Sequence, residues 1–145
     1  MDVIYTLAKN IIDTNYENLP SDVVEVTKKE IMDSFAVAIA GSSAPPVAEL
    51  VEILKEWGGK RESSVWVYGD KLPCIYAAQA NATMIHARDF DDTHDPAVLH
   101  PSAPVVPTAF AIAERVGEVD GKKLITAVAL GVDLAARLCL ANTTS

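Results

Sequence analysis

Apolar residues return at every third or fourth position along most of this chain, and proline or glycine stands at nearly every break in that rhythm. Val3, Ile4, Leu7, Ala8, Ile11 and Ile12 share one stripe, with Lys9, Asn10 and Asp13 off it, which is the spacing of a half-buried helix. After a break at residues 15–19, Pro20-Ser21-Asp22 opens a second helix carrying Val23, Val24, Thr27, Ile31, Phe35, Val37, Ala38 and Ile39. Its apolar second half, SFAVAIAG, reads as buried on nearly all sides, with Gly41 placed to end it at C′. Pro45 or Pro46 opens a third helix through Trp57, and Gly58-Gly59 stops it. Residues 73–88 (PCIYAAQANATMIHAR) are rich in alanine with no interior glycine, so a fourth helix starts with Pro73 in its first turn. A fifth covers APVVPTAFAIAERVG with Ser102 as N-cap, and a sixth runs from Gly121 to Asn142 on a broad apolar surface. Only residues 63–68 (SSVWVY), β-branched and aromatic, read as extended; Trp66 and Tyr68 there are expected to pack rather than to stack on a ligand.

The fold class that follows is all-α, a bundle of about six helices with one short extended segment. At 145 residues, 50% of them hydrophobic, the chain can bury the core of one domain. Lys+Arg 12 against Asp+Glu 20 gives a net charge of −8. No basic run is present to neutralise phosphate, so neither nucleic acid nor an anionic membrane is expected as partner. Cys74 and Cys139 match no CxxC pattern and read as reduced, buried, structural thiols, which with a leaderless start at Met1-Asp2 points to the cytoplasm. No uninterrupted apolar run reaches the length of a membrane span.

Proton-carrying groups are concentrated at one place. Residues 81–102 (NATMIHARDFDDTHDPAVLHPS) hold all three histidines, His86, His94 and His100, and four aspartates, Asp89, Asp91, Asp92 and Asp95. His86 and Asp89 stand three apart and share one helical face if the fourth helix persists that far. Residues 90–101 contain two prolines and form a loop. His100 then stands immediately before the fifth helix, whose unpaired N–H groups and dipole suit an anionic ligand such as a carboxylate. A histidine there can give or take a proton near neutral pH, an aspartate can orient it, and the Thr93 hydroxyl can hold a substrate oxygen. The same pattern also fits a solvated polar loop with helix caps, and His86 on an alanine-rich helix also fits a core histidine bonded to a neighbour. A metal-dependent hydrolase using His86, Asp89, His94 and Asp95 is a further alternative, although the spacing matches no strong ligand motif.

The run from Asn81 to Ser102 resembles the MmgE/PrpD family, above all in Asp89-Phe90-Asp91-Asp92-Thr93 followed by His100-Pro101-Ser102. That family includes 2-methylcitrate dehydratase, cis-aconitate decarboxylase and iminodisuccinate epimerase. The resemblance implies that residues 1–145 form the amino-terminal portion of an all-helical domain, with an α/β lid domain and further catalytic histidines and lysines beyond Ser145. It implies a cofactor-independent lyase or isomerase acting on a small di- or tricarboxylate, with 2-methylcitrate dehydration first, and a homodimer in the full-length protein. His100 is then the expected acid or base and Asp89 its orienting or polarising partner. Thr93 is expected to bind substrate, with Asp92, His86 and Ser102 as further substrate-binding candidates and no metal. A truncated helical module that only dimerises is the non-enzymatic alternative.

Overall fold

The computed structural model describes residues 2–142; Met1, on which the reading of a leaderless start rests, lies outside them. Six α-helices follow in order: α1 (Val3–Asp13), α2 (Ser21–Gly41), α3 (Val47–Trp57), α4 (Cys74–His86), α5 (Ser102–Val116) and α6 (Gly121–Asn142). Two short 3-10 turns, at Tyr16–Asn18 and Asp95–Ala97, complete the helical part. The all-α architecture expected from the periodicity is the one found.

The extended segment is shorter than its composition suggests. Only Ser63–Ser64 (β1) is a strand, paired antiparallel with Lys71–Leu72 (β2), and Val67 turns the chain between them with φ 65. Trp66 and Tyr68 therefore sit on a turn. Both pack, as expected: Phe35 lies 4.3 Å from the Trp66 ring and meets Phe110 edge-on at 5.1 Å, while Tyr68 donates its hydroxyl to the Ser42 carbonyl at 2.9 Å.

The helix at the centre is α4, packed between α2 and α5, with α6 laid against α5 and α2. Ala77, Ala80, Met84 and Ile85 of α4 are fully buried, against Val37 and Ala38 of α2 and Val47, Val51 and Leu54 around α3. Each fully buried Leu or Ile of this cluster contributes on the order of 1.5–3 kcal/mol. Small residues on α4 let its neighbours approach closely. Gly41 shows this best, since a Cβ there would run into the Met84 carbonyl oxygen, with the Met84 carbonyl carbon at 3.0 Å. Gly41 is the last residue of α2 and not its left-handed C′ cap, so its job is helix crossing rather than helix ending. Nor is the SFAVAIAG half buried all round: Ser34, Val37, Ala38 and Gly41 form the buried stripe, whereas Ile39 faces solvent.

Asn81, at the start of the polar stretch, is a structural clamp. Its side chain is buried, accepts the Trp66 N–H at 2.9 Å and donates to the Ser64 carbonyl at 3.0 Å, tying the hairpin to α4. Other surfaces remain open. No residue of α1 is buried, and Ile4, Tyr5, Ile12, Met32 and Ile39 are exposed apolar side chains. Contrary to the expectation from uninterrupted runs, α6 is long and apolar enough to cross a bilayer. Its apolar stretch carries one internal ion pair, Arg137 to Asp133 at 2.7 Å, and Gly131 brings it close against Val105 of α5.

Candidate functional site

The site is built at the carboxyl end of α4, the amino end of α5 and the loop between them. The fourth helix stops at His86, two residues earlier than the sequence suggests, with Ala87 as its cap. Asp89 then takes φ 56 and donates its N–H to the His86 carbonyl at 3.0 Å. Aspartate tolerates this left-handed conformation better than most residues, and the turn folds the chain back over the helix end. The expected pairing along one helical face is thereby replaced. His86 Nδ1 lies 3.1 Å from both carboxylate oxygens of Asp91, not against Asp89.

The loop then closes on itself. His94 donates its N–H to the Leu99 carbonyl at 2.8 Å, and its Nδ1 accepts the Ala97 N–H at 3.1 Å, capping the Asp95–Ala97 turn. An acceptor Nδ1 puts the proton of a neutral ring on Nε2. His94 is thus engaged in holding the loop, away from the other two histidines. The chain re-emerges with His100 beside His86, ring centroids 4.7 Å apart. His100 Nδ1 lies 3.5 Å from Asp91 Oδ2, and its Nε2 lies 3.7 Å from Asp89 Oδ1.

The start of α5 departs from expectation in a way that matters for binding. Its N-cap position is Pro101, and Ser102 is the first helical residue. The Ser102 N–H is taken by Asp92 Oδ1 at 3.1 Å, so Asp92 caps the helix from ten residues upstream. Pro104 has no N–H. Of the first three N–H positions only that of Ala103 stays open, and the dipole already faces the Asp92 carboxylate. Burial pushes the Asp92 carboxyl above its ordinary range, with the Ser102 bond opposing. Glu30 of α2 is raised too, by burial first and then by the charge of Asp92.

A cleft of about 510 Å³ opens beside this cluster, lined by Ala82, Thr83, His86, Ala87, Val98, Leu99, His100, Ala103 and Pro104. Its wall is largely apolar, and among the described residues the two imidazoles are its only titratable groups. Of the residues singled out by sequence, His86, Asp89 and His100 are brought together. Asp92 is beside them as a cap, Ser102 is buried beneath, and Thr93 is exposed on the loop with no hydrogen bond among the described residues. The residue that sequence reasoning missed is Asp91, whose side chain is 1% exposed against 77% for Asp89.

A match to the MmgE/PrpD N-terminal domain extends over residues 5–145. The chain belongs to the MmgE/PrpD family. Similar proteins include cis-aconitate decarboxylases of Mus musculus (31% identical over 125 residues), Aspergillus terreus (32% over 126) and Homo sapiens (33% over 125), the alignments covering 83–84% of this chain. They cover 25–26% of those relatives, so the chain spans about a quarter of their length. In this MmgE/PrpD chain the DFDDT block supplies the left-handed turn, the buried carboxylate and the α5 cap in succession, and the HPS block supplies the second imidazole.

The residues here also form a donor set for a divalent ion, different from the His86, Asp89, His94 and Asp95 set of the hydrolase alternative. One ligand atom each from His86, Asp89, Asp91 and His100 lie within 4.8 Å of one another. Carboxylate and imidazole donors fit such an ion. His94, in contrast, uses its Nδ1 in the loop and stands outside the group, as does Asp95.

Proposed function

We propose that the cleft beside His86 and His100 is part of the active site of a cofactor-independent lyase acting on a small di- or tricarboxylate. The observation that carries this reading is the pair of imidazoles set between a buried aspartate and an apolar cleft. His100 would serve as the acid or base. It can remove a proton next to a carboxylate before hydroxide leaves, or deliver one to the carbanion left when CO2 departs. Asp89, close to Nε2, would polarise the ring, and Thr93 would hold a substrate oxygen. His86 would offer a hydrogen bond to a substrate carboxylate, a role the mostly occupied α5 terminus cannot fill alone.

The names of the relatives favour cis-aconitate decarboxylation, and 2-methylcitrate dehydration is the second substrate to test. Both would be assayed on the full natural gene product. His100→Ala is expected to lower turnover at least about 10²-fold while leaving the fold intact, the usual loss for a general acid or base. Near-normal turnover in that variant would remove His100 from the chemistry. The proposal includes further cationic groups outside these residues, an α/β lid, a cytoplasmic setting without membrane or nucleic acid, and a homodimer using exposed apolar faces such as that of α1; light scattering tests the last of these.

The four-donor cluster supports one other reading, a metal-dependent hydrolase held by His86, Asp89, Asp91 and His100. Calorimetric titration with Zn²⁺ or Mn²⁺ separates the two. Tight binding of one ion per chain, with turnover lost to chelator and restored by the ion, would replace the metal-free mechanism.

A further inference from the structure

Asp91 is the buried charge of the cluster, and it faces both histidines at once. Each of its oxygens lies 3.1 Å from His86 Nδ1, and Oδ2 is also 3.5 Å from His100 Nδ1. His100 Nδ1 is itself buried and has no hydrogen-bond partner among the described residues, the Asp91 carboxylate at 3.5 Å being the charge it faces, while the side chain as a whole is one-third exposed. The open part of that ring is therefore the side away from Nδ1. A ring nitrogen facing a carboxylate across a dry gap is favoured when it carries a proton and repelled when it presents a lone pair. A carboxylate has room for both donors, with about four lone-pair positions.

We propose that Asp91 is a positioning residue that fixes the Nδ1–H form of His86 and His100 together, so that Nε2 of His100 is the atom left to exchange protons with substrate. This rests on the reading of His100 as acid or base. The division of labour between two aspartates follows from the fold. Asp91 is sealed behind the rings and holds a constant orientation, while Asp89, on the left-handed turn, stands at Nε2 where substrate would approach. A neutral ring held this way has one usable nitrogen, and that nitrogen faces outward.

The chain has three histidines, so long-range proton–nitrogen NMR of the ¹⁵N-labelled protein resolves every ring and reads which nitrogen carries the proton once each is neutral. His86 and His100 are expected as Nδ1–H. His94 is expected as Nε2–H and serves as an internal reference, since its Nδ1 accepts from Ala97. Asp91→Asn keeps the shape but only one acceptor oxygen; it should leave His94 unchanged, keep the closer His86 bond and release His100 toward Nε2–H. In the natural gene product the same variant should lower kcat about 10²-fold with KM little changed, and Asp91→Glu should recover part of the loss. An Nε2–H form of His100 in the unmodified protein, or a His100 pattern unaltered by Asp91→Asn, overturns the assignment. The outcomes separate from those of the parent reading. If the ring form switches as stated while His100→Ala keeps its turnover, positioning by Asp91 stands and the acid–base role fails. If His100→Ala abolishes turnover while Asp91→Asn leaves the ring form alone, the acid–base role stands and the positioning role is wrong.

Discussion

Gly41→Ala sets two well-characterised effects against each other at one atom. In a helix interior alanine is favoured over glycine by about 1 kcal/mol, so on propensity alone the variant gains, though by less at the last residue of α2. Against this stands the crossing of α2 and α4. The new Cβ would occupy the place of the Met84 carbonyl oxygen, with the carbonyl carbon at 3.0 Å and the Ala87 Cβ at 3.5 Å. The obstacle is backbone, which cannot swing aside as a flexible side-chain tip can, so the helices must separate. Separation loosens Val37 and Ala38 against Ala80 and Met84, and over-packing of this kind costs about 1–3 kcal/mol, occasionally more. The net expectation is a loss of roughly 1–3 kcal/mol, which for a chain of this size lowers Tm by about 3–10 °C. Urea melts of Gly41→Ala beside Gly121→Ala give the measurement. Gly121 opens α6 with no atom within 4 Å of its added Cβ, so its variant should be neutral or slightly stabilised. Equal stability of the two variants would refute the close crossing.

Asn81→Ala leaves a half-buried Trp66 N–H and Ser64 carbonyl without their partner and should cost about 1–3 kcal/mol; a loss below ~0.5 kcal/mol in denaturant melts would mean the hairpin is not tied to α4 as described. Asp92→Ala removes the acceptor for the Ser102 N–H and should destabilise by about 1 kcal/mol, whereas Asp92→Asn, which keeps an oxygen there, should recover most of that; equal losses would discount the cap. Glu30 carries a raised carboxyl, chiefly from burial and then from Asp92. The folded state therefore holds its proton more tightly than the unfolded state, and this group's contribution falls as pH rises from its ordinary value of 4.5 through its raised one. Glu30→Gln should accordingly raise Tm at pH 7, with the gain fading by pH 4. A gain that grows toward acid pH would reverse the assignment.

The helices were legible because periodicity alone decides them. The bounds of α1, α3 and α6 follow directly from the apolar stripes and their Pro and Gly breaks. Periodicity says less about crossings. Gly41 reads the same whether it ends a helix or lets another helix pass, and only the path of α4 distinguishes the two. The SSVWVY segment has strong β composition but too little partner chain to extend the pairing beyond two residues, since the turn at Val67 closes it. The site was legible as a neighbourhood and not as a set of contacts. His86 and Asp89 are three apart, and a continuing helix would have joined them; the left-handed turn at Asp89 passes the bond to Asp91. Four aspartates in seven residues look alike in sequence, and burial alone separates the exposed Asp89, the capping Asp92 and the enclosed Asp91.

That separation also explains how one short loop can hold so much negative charge beside the two imidazoles. Asp92 is spent on the α5 terminus, with its carboxyl drawn upward by burial. Asp91 is enclosed, with His86 Nδ1 3.1 Å from both of its oxygens and His100 Nδ1 3.5 Å from Oδ2. Asp89 is left facing water at Nε2 of His100, where solvent screens it. An exposed carboxylate and an enclosed one on opposite nitrogens of the same ring thus do different things. In the proposed mechanism the enclosed one would fix the direction of the ring, and the exposed one would meet the substrate.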